Sequence, residues 1–274
     1  MVQFEANSTS PSCTEFDMLN TNSKCIFSKE QIVMHMPHCS IAIPDYSGYV
    51  VSKDIIDSEI SKSTDWGVDE IFEIQGIEKI RFDYSREFCD VERFYDDGEP
   101  LSKIGFGIVY TSLEDGRIMR ELSKEKKAEI IANYYEPHHL KFTEKVREKL
   151  DKFGEVLILD CHSFPGKPLM WEEYSDLKRP EICIGTESFH TPFELRDHFS
   201  GNFESMGYTV AENQPFIGTI VPSKFYKKDN RVNSIMIEIN RSLFMDEKTL
   251  EINKEATSKI RDDIENILKG MKND

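Results

Sequence analysis

Two histidines stand where apolar runs stop. Glu155-Val-Leu-Ile-Leu-Asp-Cys-His-Ser-Phe164 is apolar until Asp160 and His162, and Gln31-Ile-Val-Met-His-Met-Pro-His38 ends at His38. A short run of this kind reads as a strand buried on both faces, and open α/β sheets place ligand chemistry at the carboxyl ends of such strands. Two such ends suggest one site. Ser234-Ile-Met-Ile-Glu-Ile-Asn-Arg241 alternates, with Ile235, Ile237 and Ile239 on one face and Met236, Glu238 and Asn240 on the other. A carboxylate inside such a strand is costly unless it is paired or used. His38, His162, Glu238 and a carboxylate near Asp65 are therefore the candidates for chemistry. Zinc favours two imidazoles and a carboxylate with a fourth position open to water, and a nearby glutamate would carry a proton from that water to a leaving amine. Such a set hydrolyses an amide.

Each piece also has a plainer explanation. Asp65 and Asp69 read equally well as solvated helix residues, Glu238 as an ion-pair partner of Arg241, and a lone histidine after a strand as structural. Two other classes stay open. A serine or cysteine hydrolase would use Ser163 or Cys39 with a nearby histidine, although no GxSxG elbow is present. A non-catalytic ligand-binding relative would keep the fold and lose the metal.

The elements that must position these residues follow the rhythm of βαβ units. Lys53 to Ile60 reads as a short helix, 65–74 as partly helical and 80–100 as strand and loop. Leu122 to Tyr135 is helical by composition; Pro137 is expected to kink or restart the helix, and Leu140 to Phe153, closed by Gly154, feeds the strand at 155–160. Thr191-Pro-Phe-Glu194 combines an N-cap, Pro at the first helical position and Glu at the third. Leu195, Phe199, Phe203 and Met206 then form a stripe that Gly207 ends, before a strand from Tyr208 to Ala211. Ile252, Ala256, Ile260, Ile264 and Ile267 mark a last helix stopped by Gly270. The sequence predicts an α/β fold, a largely parallel sheet with helices on both faces.

The 274 residues suffice for one large domain over residues 29–274, preceded by a polar N-terminal arm over residues 1–28. A formal charge of −16 argues against binding a phosphate backbone, so no nucleic-acid partner is expected. Six cysteines without a CxxC spacing read as reduced thiols of a cytoplasmic protein. No stretch of about eighteen apolar residues is present, so no membrane is expected. The oligomeric state is left open.

Several longer strings occur in a telling order: Pro37-His-Cys-Ser-Ile-Ala-Ile-Pro44, Thr64-Asp-Trp-Gly-Val-Asp69, Ser85-Arg-Glu-Phe-Cys-Asp-Val-Glu-Arg93, Tyr134-Tyr-Glu-Pro-His-His139, Leu159-Asp-Cys-His-Ser163, Asn213-Gln-Pro-Phe-Ile-Gly218 and Ile237-Glu-Ile-Asn-Arg241. Together they resemble the N-formylglutamate amidohydrolase family over about residues 31–246. The resemblance implies a zinc-carboxypeptidase-like, three-layer α/β/α fold with a mixed, largely parallel central sheet. It also implies release of formate from N-formyl-L-glutamate, a small N-acyl substrate bearing carboxylates, in histidine breakdown. The family's Pro-His-Ser-Gly element appears as Pro37-His38-Cys39-Ser40, with Cys and Ser in place of Ser and Gly.

Carried over by position, the resemblance makes His38, Asp65 and His162 the ligands of Zn²⁺ or another divalent metal, with Asp69 the rival to Asp65. Glu238 becomes the general base, and Asp160 a group that supports His162 or simply accepts a hydrogen bond at the strand end. Arg86 and Arg93 flank Asp90 and match a pair of arginines that would grip the substrate carboxylate, although at least one is expected to pair with Asp90 or Asp83. Asn213 and Arg241 would orient the scissile carbonyl or stabilise its oxyanion. His138 and His139 read as packing or capping residues, Gly105-Phe-Gly107 as a turn and Cys161 as a core residue.

Overall fold

The computed structural model describes residues 27–95, 100–169 and 178–271. Most of the expected N-terminal arm lies outside these residues; Phe27, at its end, is buried in the core. Strands β1 (Ile32–Met36), β2 (Glu78–Arg81), β3 (Val156–Phe164), β4 (Ile182–Gly185), β5 (Val210–Glu212) and β6 (Val232–Asn240) form one sheet in the order β2-β1-β3-β6-β4-β5. The first four in that order run parallel; β4 is antiparallel to β6, and β5 is parallel to β4. The sheet is thus largely parallel, as the sequence predicts, and mixed, as the family resemblance implies.

Every residue of β3 and β6 is buried, because helices cover both faces of the sheet. The helices are α1 (Lys53–Ser63), α2 (Val68–Ile71), α3 (Lys124–Ile130), α4 (Glu136–Phe153), α5 (Phe193–Ser205) and α6 (Lys254–Lys269), of which α2, α4, α5 and α6 supply these covers. On one face Leu157, Leu159 and Cys161 of β3 and Ile235, Ile237 and Ile239 of β6 pack with residues of α2, α5 and α6. On the other, Val33, Ile158 and Val232 meet Phe142, Val146 and Leu150 of α4. The alternation read from the β6 sequence is therefore real, and it turns Glu238 toward the α4 side.

One local expectation holds and one needs correction. The α-helix restarts at Glu136, after a π segment (Ile131–Tyr135) that joins α3 to α4, and Pro137 falls in the first turn of α4. Thr191 does not cap α5, whose N-cap is Pro192. Its hydroxyl donates instead to the Ser234 carbonyl at 2.7 Å and accepts from Glu187 N–H, tying the helix entry to β6.

Thr64 caps the carboxyl end of α1, and Asp65 follows immediately. The Asp65 N–H donates to the His38 carbonyl at 2.9 Å, which joins the turn after α1 to the chain leaving β1. Gly67 continues the turn with φ +76°, and a Cβ there would lie 2.5 Å from the Phe244 ring. Only glycine meets both demands. Among the described residues no helix is long and apolar enough to cross a membrane.

Candidate active site

The register of the parallel strands sets the core of the site. His35 of β1 pairs with Asp160 of β3, and His162 of β3 with Glu238 of β6. Paired residues of parallel neighbours point to the same face, so these four side chains form a row on the α4 side, toward the carboxyl ends of the strands. His38 and Asp65 reach the row from the two loops that their backbone bond joins.

His162 Nδ1 lies 2.8 Å from Asp65 Oδ2, and His38 Nδ1 lies 3.7 Å from the same oxygen. The remaining ring nitrogens are held by other carboxylates: His38 Nε2 donates to Asp90 Oδ1 at 2.8 Å and His162 Nε2 to Asp160 Oδ1 at 3.1 Å. Imidazoles anchored in this way through Nε2 present Nδ1 for coordination. His38 Nδ1 is buried with no hydrogen-bond partner, an orphan that a cation would satisfy. The donor set of two imidazoles and a carboxylate fits zinc.

Burial opposes charge on Asp65 and His162, but their mutual hydrogen bond and the surrounding charges win. The Asp65 carboxyl is held well below the usual range, and the His162 imidazole well above it. Glu238 behaves in the opposite way. Desolvation pushes it up to about 8, and its Oε2 is buried without a partner. A carboxyl so placed, one strand from His162, is ready to exchange a proton.

A cavity of about 900 Å³ lies over this row, lined by His38, Asp65, Glu92, His162 and Glu238 among others. That is the size range of small-molecule sites. Arg86 and Arg93 both line it and both face Asp90, at 3.2 and 3.3 Å, while Arg93 also donates to the Tyr110 hydroxyl at 3.0 Å. The pairing expected of one arginine holds for both. Arg86 keeps a buried Nε without a partner and stands 3.9 Å from Asp65, so it retains donors for a ligand.

Three candidates fall elsewhere than the sequence suggests. Asp69 is half exposed and 3.9 Å from Arg81, so it is no rival to Asp65. Asn213 does not line the cavity: its amide oxygen accepts from the N–H groups of Thr186 and Gly218, and its φ is +52°. It fastens the loop from which Phe216, Ile217 and Gly218 reach the cavity wall. Arg241 lines the cavity, but its guanidinium donates to the carbonyls of Lys62 and Ser163 and stands 3.6 Å behind Asp65. It holds Asp65 in place more than it offers donors to an oxyanion.

The alternative nucleophiles lack a base. Ser163 Oγ donates to the Trp66 carbonyl, and burial pushes the Cys39 thiol up to about 11. His139 lines the cavity while its ring bonds the Val91 carbonyl, which is the structural role expected of it.

Two site residues are new. Glu92 presents Oε2 to His38 Nδ1 at 3.6 Å and Oε1 to His162 Nε2 at 3.3 Å, so His38, Glu92 and His162 bring ligand atoms within 4.8 Å of one another. His35, fully buried, lies 3.1 Å from Asp160 through Nδ1 and 2.9 Å from His138 through Nε2. Glu92 next to Arg93 resembles a surface charge pair in the sequence, and His35 inside an apolar run resembles a core residue. The one available signal for His35 is the alternation that puts it on the face of Val33.

Residues 30–245 match the profile of the N-formylglutamate amidohydrolase family. The chain is similar in structure to the N-formylglutamate amidohydrolase of Ralstonia eutropha JMP134, with a TM-score of 0.76 and 24% identity over 91% of this chain and 94% of that one. A gene product of Agrobacterium tumefaciens superposes with a TM-score of 0.62 and 19% identity, covering 89% of each chain. At these identities the likeness establishes the fold. No curated protein matches the sequence.

Proposed function

The chain belongs to the N-formylglutamate amidohydrolase family, and we propose from that premise that it is a metal-dependent enzyme cleaving the amide of a small N-acyl amino acid, with N-formyl-L-glutamate as substrate and formate and L-glutamate as products. The observation that carries this reading is the pairing of Glu238 with His162 across two adjacent strands, with an unpartnered Glu238 oxygen and an unpartnered His38 nitrogen in the same cluster. His38, Asp65 and His162 would hold zinc, or another divalent ion. Bound there, it would lower the pKa of a coordinated water toward neutrality and polarise the formyl carbonyl.

The protein's own groups carry the remaining steps. Glu238 takes one proton of the attacking water as the new C–O bond forms and returns it to the amide nitrogen as the C–N bond breaks, so the amine leaves neutral with formic acid, which gives its remaining proton to solvent and departs as formate. Arg86 faces the developing oxyanion or a substrate carboxylate with the donors that Asp90 leaves unused, and Arg93 supports it through Asp90 and Tyr110. Asp90 and Asp160 fix the two imidazole rings. A protein of this design works on a charged, carboxylate-bearing ligand.

Formate release from N-formylglutamate, before chelation, after it and after zinc is restored, tests the proposal. Expected is a loss on chelation that zinc reverses. Activity that survives chelation and His162→Ala but disappears with Ser163→Ala would favour the serine hydrolase instead.

A further inference from the structure

Beside the cluster that faces His38 lies a second one, of which the hydrolytic steps use only Asp160, as the acceptor that holds His162. His35 Nδ1, Glu92 Oε1 and Asp160 Oδ1 converge within 4.8 Å of one another, with His35 to Asp160 at 3.1 Å and His35 to Glu92 at 3.6 Å. Ligands about 2.0–2.1 Å from a tetrahedral zinc ion stand about 3.3 Å apart, so these separations match the edges of a coordination tetrahedron. His162 Nε2 stands beside the same atoms, 3.1 Å from Asp160 Oδ1 and 3.3 Å from Glu92 Oε1, and Glu92 and Asp160 both line the cavity, within reach of water.

The groups behind these ligands are already arranged as a metal site requires. A histidine that coordinates through Nδ1 donates its Nε2 proton to an acceptor, and His35 Nε2 lies 2.9 Å from His138 Nε2. His138, itself buried, is placed to take the acceptor's part. Asp160 Oδ2 accepts from the Ile220 N–H at 3.0 Å, which turns Oδ1 toward the cluster. Stacking on Phe142, with ring centroids 4.6 Å apart, fixes the plane of His35.

Glu92 joins the two clusters. Its Oε2 faces His38 Nδ1 at 3.6 Å, and its Oε1 faces His35 Nδ1 at 3.6 Å. We infer that a second divalent cation binds to His35, Asp160 and Glu92, and that Glu92 bridges it to the ion at His38 and His162. A carboxylate that bridges through both oxygens keeps two ions about 3.5–4 Å apart, the spacing at which a pair of cations clamps one reacting group.

The inference goes beyond the hydrolytic reading and does not depend on turnover. Metal-free protein dialysed against excess zinc and washed should retain about two ions per chain, and His35→Phe about one. Anomalous diffraction at the zinc edge from the wild-type protein should give two peaks about 3.5–4 Å apart, one of them touching His35, and requires no variant to fold. A single ion and a single peak beside His38 and His162 would overturn the inference, as would His35→Phe protein that retains both ions. The two readings fail separately: two ions without cleavage of any N-acyl amino acid removes the amidohydrolase proposal alone, and one ion with full activity removes this one alone.

Discussion

Glu238 is the residue on which the proposed chemistry turns, and its environment gives a direct test. Glu238→Gln keeps the shape of the side chain and removes the proton carrier, so kcat for formate release is expected to fall by roughly 10³-fold while zinc content is unchanged. Loss of zinc along with activity would instead make Glu238 a ligand. Glu87 carries a different consequence of burial. Desolvation pushes it up to about 7, against an ordinary carboxyl near 4.3. Between those values the folded chain holds a proton that the unfolded chain has released, so stability falls as pH rises through this window and levels off above it, by roughly 4 kcal/mol in all. Denaturant titrations from pH 4 to 8 should show that slope, and Glu87→Gln should flatten it. At this scale the strand ends marked residues that the structure brings to one cavity, His38, His162 and Glu238. Glu92 and His35 were hidden because their meaning depends on partners far along the chain, Asp160 being 125 residues from His35. Nothing local marks such a pairing.

Among the elements, the turn after α1 and the loop after β5 decide how well the site is held. Gly67→Ala would drive a methyl group into the Phe244 ring at a backbone angle that alanine rarely adopts. A cost of about 1–3 kcal/mol in unfolding free energy is expected, together with weaker zinc binding, because Asp65 lies in the same turn. Asn213→Ala removes the acceptor that holds Thr186 and Gly218, and leaves a non-glycine residue at positive φ. The loop that lines the cavity should loosen, raising KM about tenfold with kcat nearly unchanged; an equal fall in kcat with KM constant would place Asn213 in the chemistry after all. Helices α4 and α6 and strands β3 and β6 were legible because long apolar periodicities have few alternative structures. The π segment before Pro137 and the diverted hydroxyl of Thr191 were not, since both arise from contacts that a local pattern does not contain.

The whole molecule carries a formal charge of −16, yet its proposed substrate is an anion. At low ionic strength the surrounding field repels the ligand that the arginines attract, and the Debye length shrinks from about 30 Å at 0.01 M salt to about 8 Å at 0.15 M. Rising salt should therefore increase kcat/KM for N-formylglutamate over that range; a decrease would mean that the charges inside the cavity govern encounter. The pairing of His162 with Glu238 has a further consequence at this scale. Their spacing is set by the ladder between β3 and β6, whereas Arg86, Arg93 and the wall residues Phe216 and Ile217 stand on loops. A protein divided in this way is modular for descent and for design. The segments at 84–95 and 213–220 can drift, or be exchanged, to admit other acyl groups and other amino acids while the reactive pair is inherited intact with the sheet.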